Sequence, residues 1–315
     1  MYKRQLTHLA WKLGRRFVDL AVQSSTQPHL FRKKGRDLGF IGMDQLDRHE
    51  TSLPLVHSRL NGYLKGGRER HMLNTVTSGA GMPLMIAHGL YGSARNWGVI
   101  SKRLSDAFKV TAVDMRNHAL SPWSDTHSYE DMAGDLAASL AGKSHVLGHS
   151  MGGKAAMVLA LTRPELVDRL IVADIAPVAY SHTQMGPLNA MRGVDLNAIE
   201  SRADAKAQLS HLEPGVDDFL LQSLDMKEKR WRLNLDVLEA EMDKIIGFPE
   251  VSGRFDGPTL FLSGANSDYV LPDHRAGIKE LFPNAKFAKI PGAGHWLHAE
   301  KPREFEAAVR AFLTS

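Results

Sequence analysis

Short apolar runs recur along the chain from Met72 onward, and most are followed by a segment with helical periodicity. Apolar runs of about four to eight residues bounded by turns are typical of buried strands, and apolar residues three or four positions apart are typical of helices. Their alternation predicts βα units and a mostly parallel sheet with helices on both faces. The runs predicted to be strands are 73–77, 83–87, 110–113, 144–147, 170–173, 259–263 and 286–290.

The alternation stops between residues 179 and 252. Helical patterns follow one another there without a strand, over 188–199, 202–212, 216–224 and 233–246. A helical block inserted into an α/β chain, after what we count as its sixth strand, predicts a cap over the sheet edge. We therefore predict a core of residues 72–178 and 253–315 and a helical cap of residues 179–252. The apolar residues expected in the cap core, and in part in a pocket wall, are Met185, Met191, Phe219, Leu220, Trp231 and Leu235.

Residues 148–153 read Gly-His-Ser-Met-Gly-Gly and lie between a predicted strand and a predicted helix. Strand, G-x-S-x-G and helix in that order are typical of a nucleophile elbow, in which a sharp turn lifts a serine hydroxyl above the sheet edge. Gly148 and Gly152 favour this turn because it leaves no room for side chains two positions either side of the serine. The pattern predicts Ser150 as a nucleophile.

A serine hydroxyl is a weak nucleophile at neutral pH and needs a histidine base that a carboxylate holds in one tautomer. His295 lies in a glycine-rich loop after the last predicted strand and is the predicted base, since this motif is followed along the chain by the acid and then the histidine. Asp174 and Asp268 each follow a predicted strand, and either is a candidate acid. Asp236, in the predicted cap, is a more distant candidate.

An oxyanion hole needs two N–H donors directed at the developing negative charge. We predict the N–H of Met151, directly after the nucleophile, and the N–H of Leu90, in the loop after the strand 83–87. Asp114 and Arg116 are predicted to form a structural ion pair. Three further histidines are predicted to pack in or near the site without a catalytic role: His118, His149 and His298.

Charge is distributed unevenly along the 315 residues. Residues 1–71 hold 14 Lys and Arg against 6 Asp and Glu, which is +8, so the total of +4 leaves −4 for residues 72–315. The mildly acidic body argues against a nucleic-acid partner. Cysteine is absent, which excludes disulfides, thiolate catalysis and cysteine-based zinc sites. No apolar run approaches the ~20 residues that span a bilayer, so we expect a soluble protein.

The basic segment 1–71 shows no alternation of strand and helix patterns. We expect a poorly ordered N-terminal extension, or translated upstream sequence, and hence a cytoplasmic protein. An arginine-rich, acid-poor beginning that contains Ser24, Ser25 and Thr26 also fits an organelle transit peptide, which would place the protein in mitochondria. An arm for nucleic acid or for a protein partner is a third alternative.

Five motifs occur in order along the chain: residues 88–93 (HGLYGS), 114–118 (DMRNH), 148–154 (GHSMGGK), 174–177 (DIAP) and 292–296 (GAGHW). Together they resemble the α/β-hydrolase superfamily and, within it, the small esterases of the bacterial YbfF type and related mitochondrial abhydrolase-domain proteins. The resemblance covers residues 73–313. It implies an α/β-hydrolase fold with a mostly parallel, eight-stranded type of sheet, a cap after strand six, and no cofactor.

The resemblance also bears on the acid. In the bacterial branch the acid resembles Asp174 of the Asp-Ile-Ala-Pro motif, and the loop after strand seven carries a non-acidic residue where this chain has Asp268. The chain therefore has two carboxylates that could serve, with Asp174 favoured by the resemblance and Asp268 as the alternative.

From these observations we predict a serine hydrolase that cleaves carboxylic esters or short-chain acyl thioesters through an acyl-enzyme. Its partner would be a small-molecule ester or thioester, with no cofactor, no metal and no nucleic acid; the oligomeric state is left open. Nucleotide and metalloprotease motifs are absent from the sequence. A carbon–carbon hydrolase or lyase of the same fold is one alternative, and a non-catalytic ligand-binding module is another.

Overall fold

The computed structural model describes residues 71–315. The predictions made for the N-terminal segment therefore lie, apart from residue 71 itself, outside the described residues. The strands of the described part are β1 (Thr75–Ser78), β2 (Met82–Ala87), β3 (Phe108–Val113), β4 (Ser144–His149), β5 (Val167–Ala173), β6 (Leu224–Asp225), β7 (Arg230–Trp231), β8 (Thr259–Gly264) and β9 (Ala285–Ile290).

Seven of these strands form one sheet in the order β1-β3-β2-β4-β5-β8-β9. β1 is antiparallel to β3, and all other neighbours are parallel. All the parallel strands therefore end at the same edge of the sheet, which is where sites form in α/β proteins. The loops that follow β2, β3, β4, β5, β8 and β9 carry the predicted site residues to that edge.

Helices cover both faces of the sheet. The helices are α1 (Gly98–Leu104), α2 (Tyr129–Ser139), α3 (Met151–Thr162), α4 (Met185–Gly193), α5 (Arg202–Gln208), α6 (Val216–Leu221), α7 (Leu235–Ala240), α8 (Met242–Ile246), α9 (His274–Leu281), α10 (Leu297–Glu300) and α11 (Pro302–Leu313). Neighbouring residues of β4 show the division. Val146 packs in the apolar cluster that includes α2 and α3, whereas Leu147 packs in the cluster of α1 and α11. Side chains alternate across a strand, so β4 is apolar on both faces.

The predicted α/β fold with a mostly parallel sheet and two helical layers is confirmed. The number of strands differs from the eight-stranded type of sheet that the resemblance implies. Among residues 71–315 the main sheet has seven strands, and its first strand along the chain is β1, which begins at Thr75. The segment 179–252, predicted to form a cap, therefore follows the fifth strand, β5, instead of a sixth. None of the helices in residues 71–315 combines the length and apolar character that crossing a membrane requires.

The segment 179–252 contains α4 to α8, and it also contains the β6–β7 pair, which the helical patterns did not predict. The pair is antiparallel and joins Leu224 to Trp231. The Trp231 ring is buried and its Nε1–H donates to the Met191 carbonyl at 2.8 Å. Each strand of the pair has only two residues, too few to show a hydrophobic period, so tertiary packing and not a sequence pattern stabilises it. The predicted helix 233–246 is likewise divided, between Ala240 and Met242.

Candidate active site

Ser150 stands at the sharp turn between β4 and α3. Its backbone has φ 52° and ψ −119°, a conformation that residues other than glycine rarely adopt and that costs about 1–3 kcal/mol. The turn is held from both sides. The Ser150 N–H donates to the Ala173 carbonyl at 3.0 Å, and its own carbonyl accepts the Lys154 N–H at 3.1 Å.

The two glycines of the pattern are required by close backbone approach. A Cβ on Gly148 would stand 2.2 Å from the Gly152 carbonyl oxygen, and a Cβ on Gly152 would stand 2.4 Å from the Ala87 carbonyl oxygen. No flexible side chain is involved in either clash, so neither could be relieved by a rotamer change. This is the tight strand-to-helix turn that the sequence predicts.

The histidine and one of the candidate acids meet directly. The His295 Nδ1 lies 2.7 Å from Asp174 Oδ2, and because a carboxylate only accepts, the ring donates Nδ1–H and leaves Nε2 without a proton in the neutral imidazole. Asp174 is fully buried. Its other oxygen accepts the Gly264 N–H at 3.0 Å, and Oδ2 also accepts the Ser267 hydroxyl at 2.5 Å. Three donors therefore compensate the buried charge.

The other candidate acids lie elsewhere. Asp268 is exposed and forms neither a hydrogen bond nor an ion pair with any residue in 71–315. Asp236 lies on α7, within the segment 179–252, with its side chain 88% exposed, and pairs with Arg192 at 2.7 Å. Of the three aspartates considered from the sequence, Asp174 alone contacts His295.

The loop after β2 carries Leu90, the first predicted oxyanion donor. The Gly89 carbonyl accepts His88 Nδ1–H at 2.7 Å and the Gly92 N–H at 3.0 Å. The Gly89 C=O and the Leu90 N–H belong to one planar trans peptide and point in opposite directions. Fixing the carbonyl therefore also fixes the Leu90 N–H. Met151 is the first residue of α3, so its N–H has no partner within the helix.

Two buried histidines hold this loop, and the sequence analysis did not assign them that role. The Nε2 of His118 accepts the Tyr91 N–H at 3.1 Å, and that of His88 accepts the Met115 N–H at 2.9 Å. Both rings donate through Nδ1, His118 to the Arg116 carbonyl at 2.8 Å. Burial lowers the pKa of His88 to about 4 and that of His118 to about 3, so both are neutral acceptors at physiological pH.

Asp114 supports the same loop, and the predicted ion pair with Arg116 is wrong. The Asp114 carboxylate accepts the Ala94 N–H at 2.7 Å and the Asn74 side-chain amide at 2.7 Å. Arg116 instead pairs with Asp135, at 2.6 Å, on α2. The two charges therefore have separate partners, and Asp114 accepts N–H donors while Arg116 pairs with carboxylates of α2.

The other two histidines pack as the sequence predicts. His149 is buried beneath the elbow, and its Nε2–H donates to the His295 carbonyl at 2.9 Å, which fixes the backbone of the loop that carries His295. The His298 ring stacks on Trp97, with centroids 4.2 Å apart. Burial lowers the pKa of His149 well below its usual value and that of His298 to about 3, so neither adds a charge to the site. The His295 ring itself stacks on Tyr269 at 4.0 Å.

Ser150 and His295 line one cavity of about 620 Å³, whose wall also includes residues of the segment 179–252. Of the six apolar cap residues named from the sequence, Phe219 and Leu220 line the cavity. Met191 and Trp231 are buried and do not line the cavity. The cavity is also lined by groups that no sequence motif indicated as pocket residues: Tyr129, Tyr180, Ile245, Ile246 and Tyr269.

Comparison with known proteins agrees with this geometry. Residues 82–302 match the family model described as the alpha/beta hydrolase fold. This chain belongs to the α/β-hydrolase family. A marine microorganism esterase of known structure superposes on this α/β-hydrolase with a TM-score of 0.73 at 39% identity, covering 77% of this chain and 99% of that one.

Two curated relatives are similar over most of this α/β-hydrolase. The sn-1-specific diacylglycerol lipase ABHD11 of Mus musculus is 42% identical over 257 residues, which is 76% of this chain and 84% of the relative. Esterase YbfF of Escherichia coli is 39% identical over 238 residues, which is 73% of this chain and 92% of the relative. The resemblance to YbfF-type and abhydrolase-domain proteins is therefore confirmed.

Proposed function

We propose that this α/β-hydrolase is a carboxylesterase that cleaves esters through an acyl-enzyme on Ser150. The hydrolase class rests on the family and on relatives named as esterases and a lipase. The mechanism rests on one observation above all: Ser150 and His295 open into one cavity, and the buried carboxylate of Asp174 lies 2.7 Å behind His295.

His295 is the proposed general base. With Nδ1–H donated to Asp174, its Nε2 is free to take the Ser150 proton as the serine oxygen attacks the ester carbonyl. The imidazolium that forms is stabilised by Asp174 and then returns its proton to the alcohol as the carbon–oxygen bond breaks. A water molecule, deprotonated by the same nitrogen, attacks the acyl-enzyme and releases the carboxylic acid.

The negative charge that develops on the carbonyl oxygen is assigned to the N–H groups of Leu90 and Met151. Removing one preorganised donor of this kind from other acyl-transfer enzymes raises the activation free energy by about 3–4 kcal/mol. Support for Leu90 comes from the hydrogen bonds that fix the Gly89 carbonyl on the opposite edge of the same peptide. These steps use only side chains, backbone N–H groups and water.

The substrate class follows from the cavity. Its wall is built largely from apolar and aromatic side chains, including Phe219, Ile245 and Tyr129, which suits an uncharged acyl or alcohol group of a small ester. A short-chain acyl thioester is attacked at its carbonyl in the same way, releases a thiol in place of an alcohol, and is retained as a second substrate. The cytoplasmic location, with mitochondria as the alternative, and the division into core 72–178 and 253–315 with cap 179–252 stay predictions.

A substrate panel tests the proposal. We expect the wild-type protein to hydrolyse p-nitrophenyl acetate and butyrate, and butyryl thioesters, and the Ser150→Ala variant to lose kcat/KM by at least about 10³-fold on each. Unchanged turnover in that variant would rule out the serine mechanism. Turnover of a vinylogous diketone in place of every ester would instead assign a carbon–carbon hydrolase.

A further inference from the structure

Lys154 is a buried cation that the proposed mechanism does not use. It lies one helical turn after Ser150 on α3, is 1% exposed and lines the same cavity as the serine. It forms no ion pair with any residue in 71–315. Burial lowers the pKa of its ammonium to about 7. A lysine is seldom buried in this way unless its N–H donors are used.

The ammonium of Lys154 donates hydrogen bonds to backbone carbonyls at the C-terminal end of the predicted cap. Its Nζ donates to the Ile246 carbonyl at 2.9 Å and to the Gly247 carbonyl at 2.5 Å. These residues end α8, where the chain leaves the cap for the core. The Tyr129 hydroxyl donates to the preceding carbonyl, that of Ile245, at 2.5 Å. Three successive carbonyls are thus bound by side chains from α2 and α3.

The incoming connection of the cap reaches the same lysine. Tyr180 lies between β5 and α4, and its ring centroid is 4.8 Å from Lys154 Nζ. Its N–H donates to the Ile246 carbonyl at 3.0 Å, and its hydroxyl donates to the Tyr269 carbonyl at 2.7 Å. The two chain connections of the cap therefore touch each other and Lys154 at one point.

We propose that Lys154 is a positioning residue that holds both connections of the cap against the nucleophile helix and so determines which acyl groups the cavity accepts. The cavity wall formed by Ile245 and Ile246 belongs to the segment that Lys154 binds. Charge-assisted hydrogen bonds are about twice as strong as neutral ones, so Lys154 binds these carbonyls most strongly as an ammonium, the form that its pKa of about 7 favours at and below neutral pH. The effect on substrates rests on the proposed esterase function; the effect on the cap does not.

The first test is hydrogen–deuterium exchange on the full chain. In Lys154→Met we expect amides of residues 178–184 and 244–249 to exchange about tenfold faster, with residues 144–149 of β4 unchanged. Lys154→Arg, which keeps the charge, should recover most of the protection. Lys143→Met is the matched control, because Lys143 is exposed and pairs only with Asp168 on the surface. Equal exchange in all variants, or a uniform rise over the whole chain, would overturn the proposal.

The second test is kinetic and separates this inference from the esterase function. We expect Lys154→Met to raise KM for p-nitrophenyl hexanoate, and to lower the ratio of kcat/KM for hexanoate over acetate by about tenfold, with Lys154→Arg between it and the wild type. An unchanged ratio would overturn the specificity role. If the wild type hydrolyses neither ester, the proposed esterase function is wrong, and the exchange experiment still tests whether Lys154 holds the cap connections. If Lys154→Met does not fold, Lys154→Gln replaces it in both tests.

Discussion

The Oδ2 atom of Asp174 accepts two hydrogen bonds at once, from His295 Nδ1 at 2.7 Å and from the Ser267 hydroxyl at 2.5 Å. The first bond fixes the tautomer and the ring plane of the histidine. The second, with the Gly264 N–H on Oδ1, prevents the buried carboxylate from rotating away. Asp174 also has a positive φ of 52°, so both the backbone and the side chain of this residue are held in one arrangement.

Replacing the buried carboxylate should nearly abolish activity. We expect Asp174→Asn to lower kcat by about 10⁴-fold, because an amide can donate to Nδ1 and favour the wrong histidine tautomer. The measurement is steady-state hydrolysis of p-nitrophenyl butyrate. Asp268→Asn is the matched control and should stay within about twofold of the wild type, since Asp268 is exposed and unpaired within residues 71–315. The reverse ranking would make Asp268 the acid.

The Ser267 hydroxyl should matter for turnover more than for binding. We expect Ser267→Ala to lower kcat by about tenfold with little change in KM, because the lost donor loosens Asp174 and does not line the cavity. Ser267→Thr, which keeps a hydroxyl, should restore part of the rate. A wild-type kcat for the alanine variant would show that the Asp174 carboxylate needs no third donor.

The His118 acceptor should support the oxyanion loop. We expect His118→Ala to lower the free energy of unfolding by about 1–3 kcal/mol, because the buried Tyr91 N–H is left without its acceptor. The rate should also fall, since Tyr91 follows the Leu90 donor. His118→Gln, whose amide oxygen can replace Nε2, should recover both the stability, measured by urea unfolding, and kcat. Equal losses in the two variants would assign His118 to packing alone.

Buried neutral histidines predict acid sensitivity. Six histidines in residues 71–315 have a pKa lowered by burial: His88, His118, His127, His145, His149 and His298. Their stabilising effect is complete above pH 6.5, the unfolded value, and is lost as the pH falls toward 4, because the unfolded chain then binds protons that the folded chain does not. Each such proton lowers the free energy of unfolding by about 1.4 kcal/mol per pH unit.

Urea unfolding between pH 7.5 and 5 measures that slope. We expect it to steepen below pH 6.5 toward the value for about six protons, and His118→Gln to reduce it by about one proton. A pH-independent free energy of unfolding over this range would contradict the neutral state of these rings.

The sequence predicts much of the fold because its signals are local. An apolar run such as 144–147 is typical of a buried parallel strand. Gly148 and Gly152 permit the tight turn at Ser150, because a side chain at either position would clash with backbone. Strand ends then bring Ser150, Asp174 and His295 to one edge through topology alone. The sequence did not predict the β6–β7 pair, because strands of two residues are too short to show an alternating hydrophobic pattern. The buried Trp231 and its hydrogen bond to the Met191 carbonyl stabilise the pair.

The supporting residues were harder to predict because each acts through a distant contact. Ser267 is separated from Asp174 by 93 positions, and Lys154 from the Gly247 carbonyl by 93. Neither contact has a spacing that a pattern could detect. The Asp114–Arg116 pair shows the opposite error, in which closeness along the chain suggested a contact that does not form, because each side chain has other partners.

Labelling with a fluorophosphonate probe, located by peptide mass spectrometry, tests the central claim most directly. Such probes react with serines that an adjacent base activates. We predict one adduct, on Ser150, in the wild type and in Asp268→Asn, much slower labelling in Asp174→Asn, and none in Ser150→Ala. Ester turnover by a protein that remains unlabelled at Ser150, or labelling of a different serine, would contradict the account.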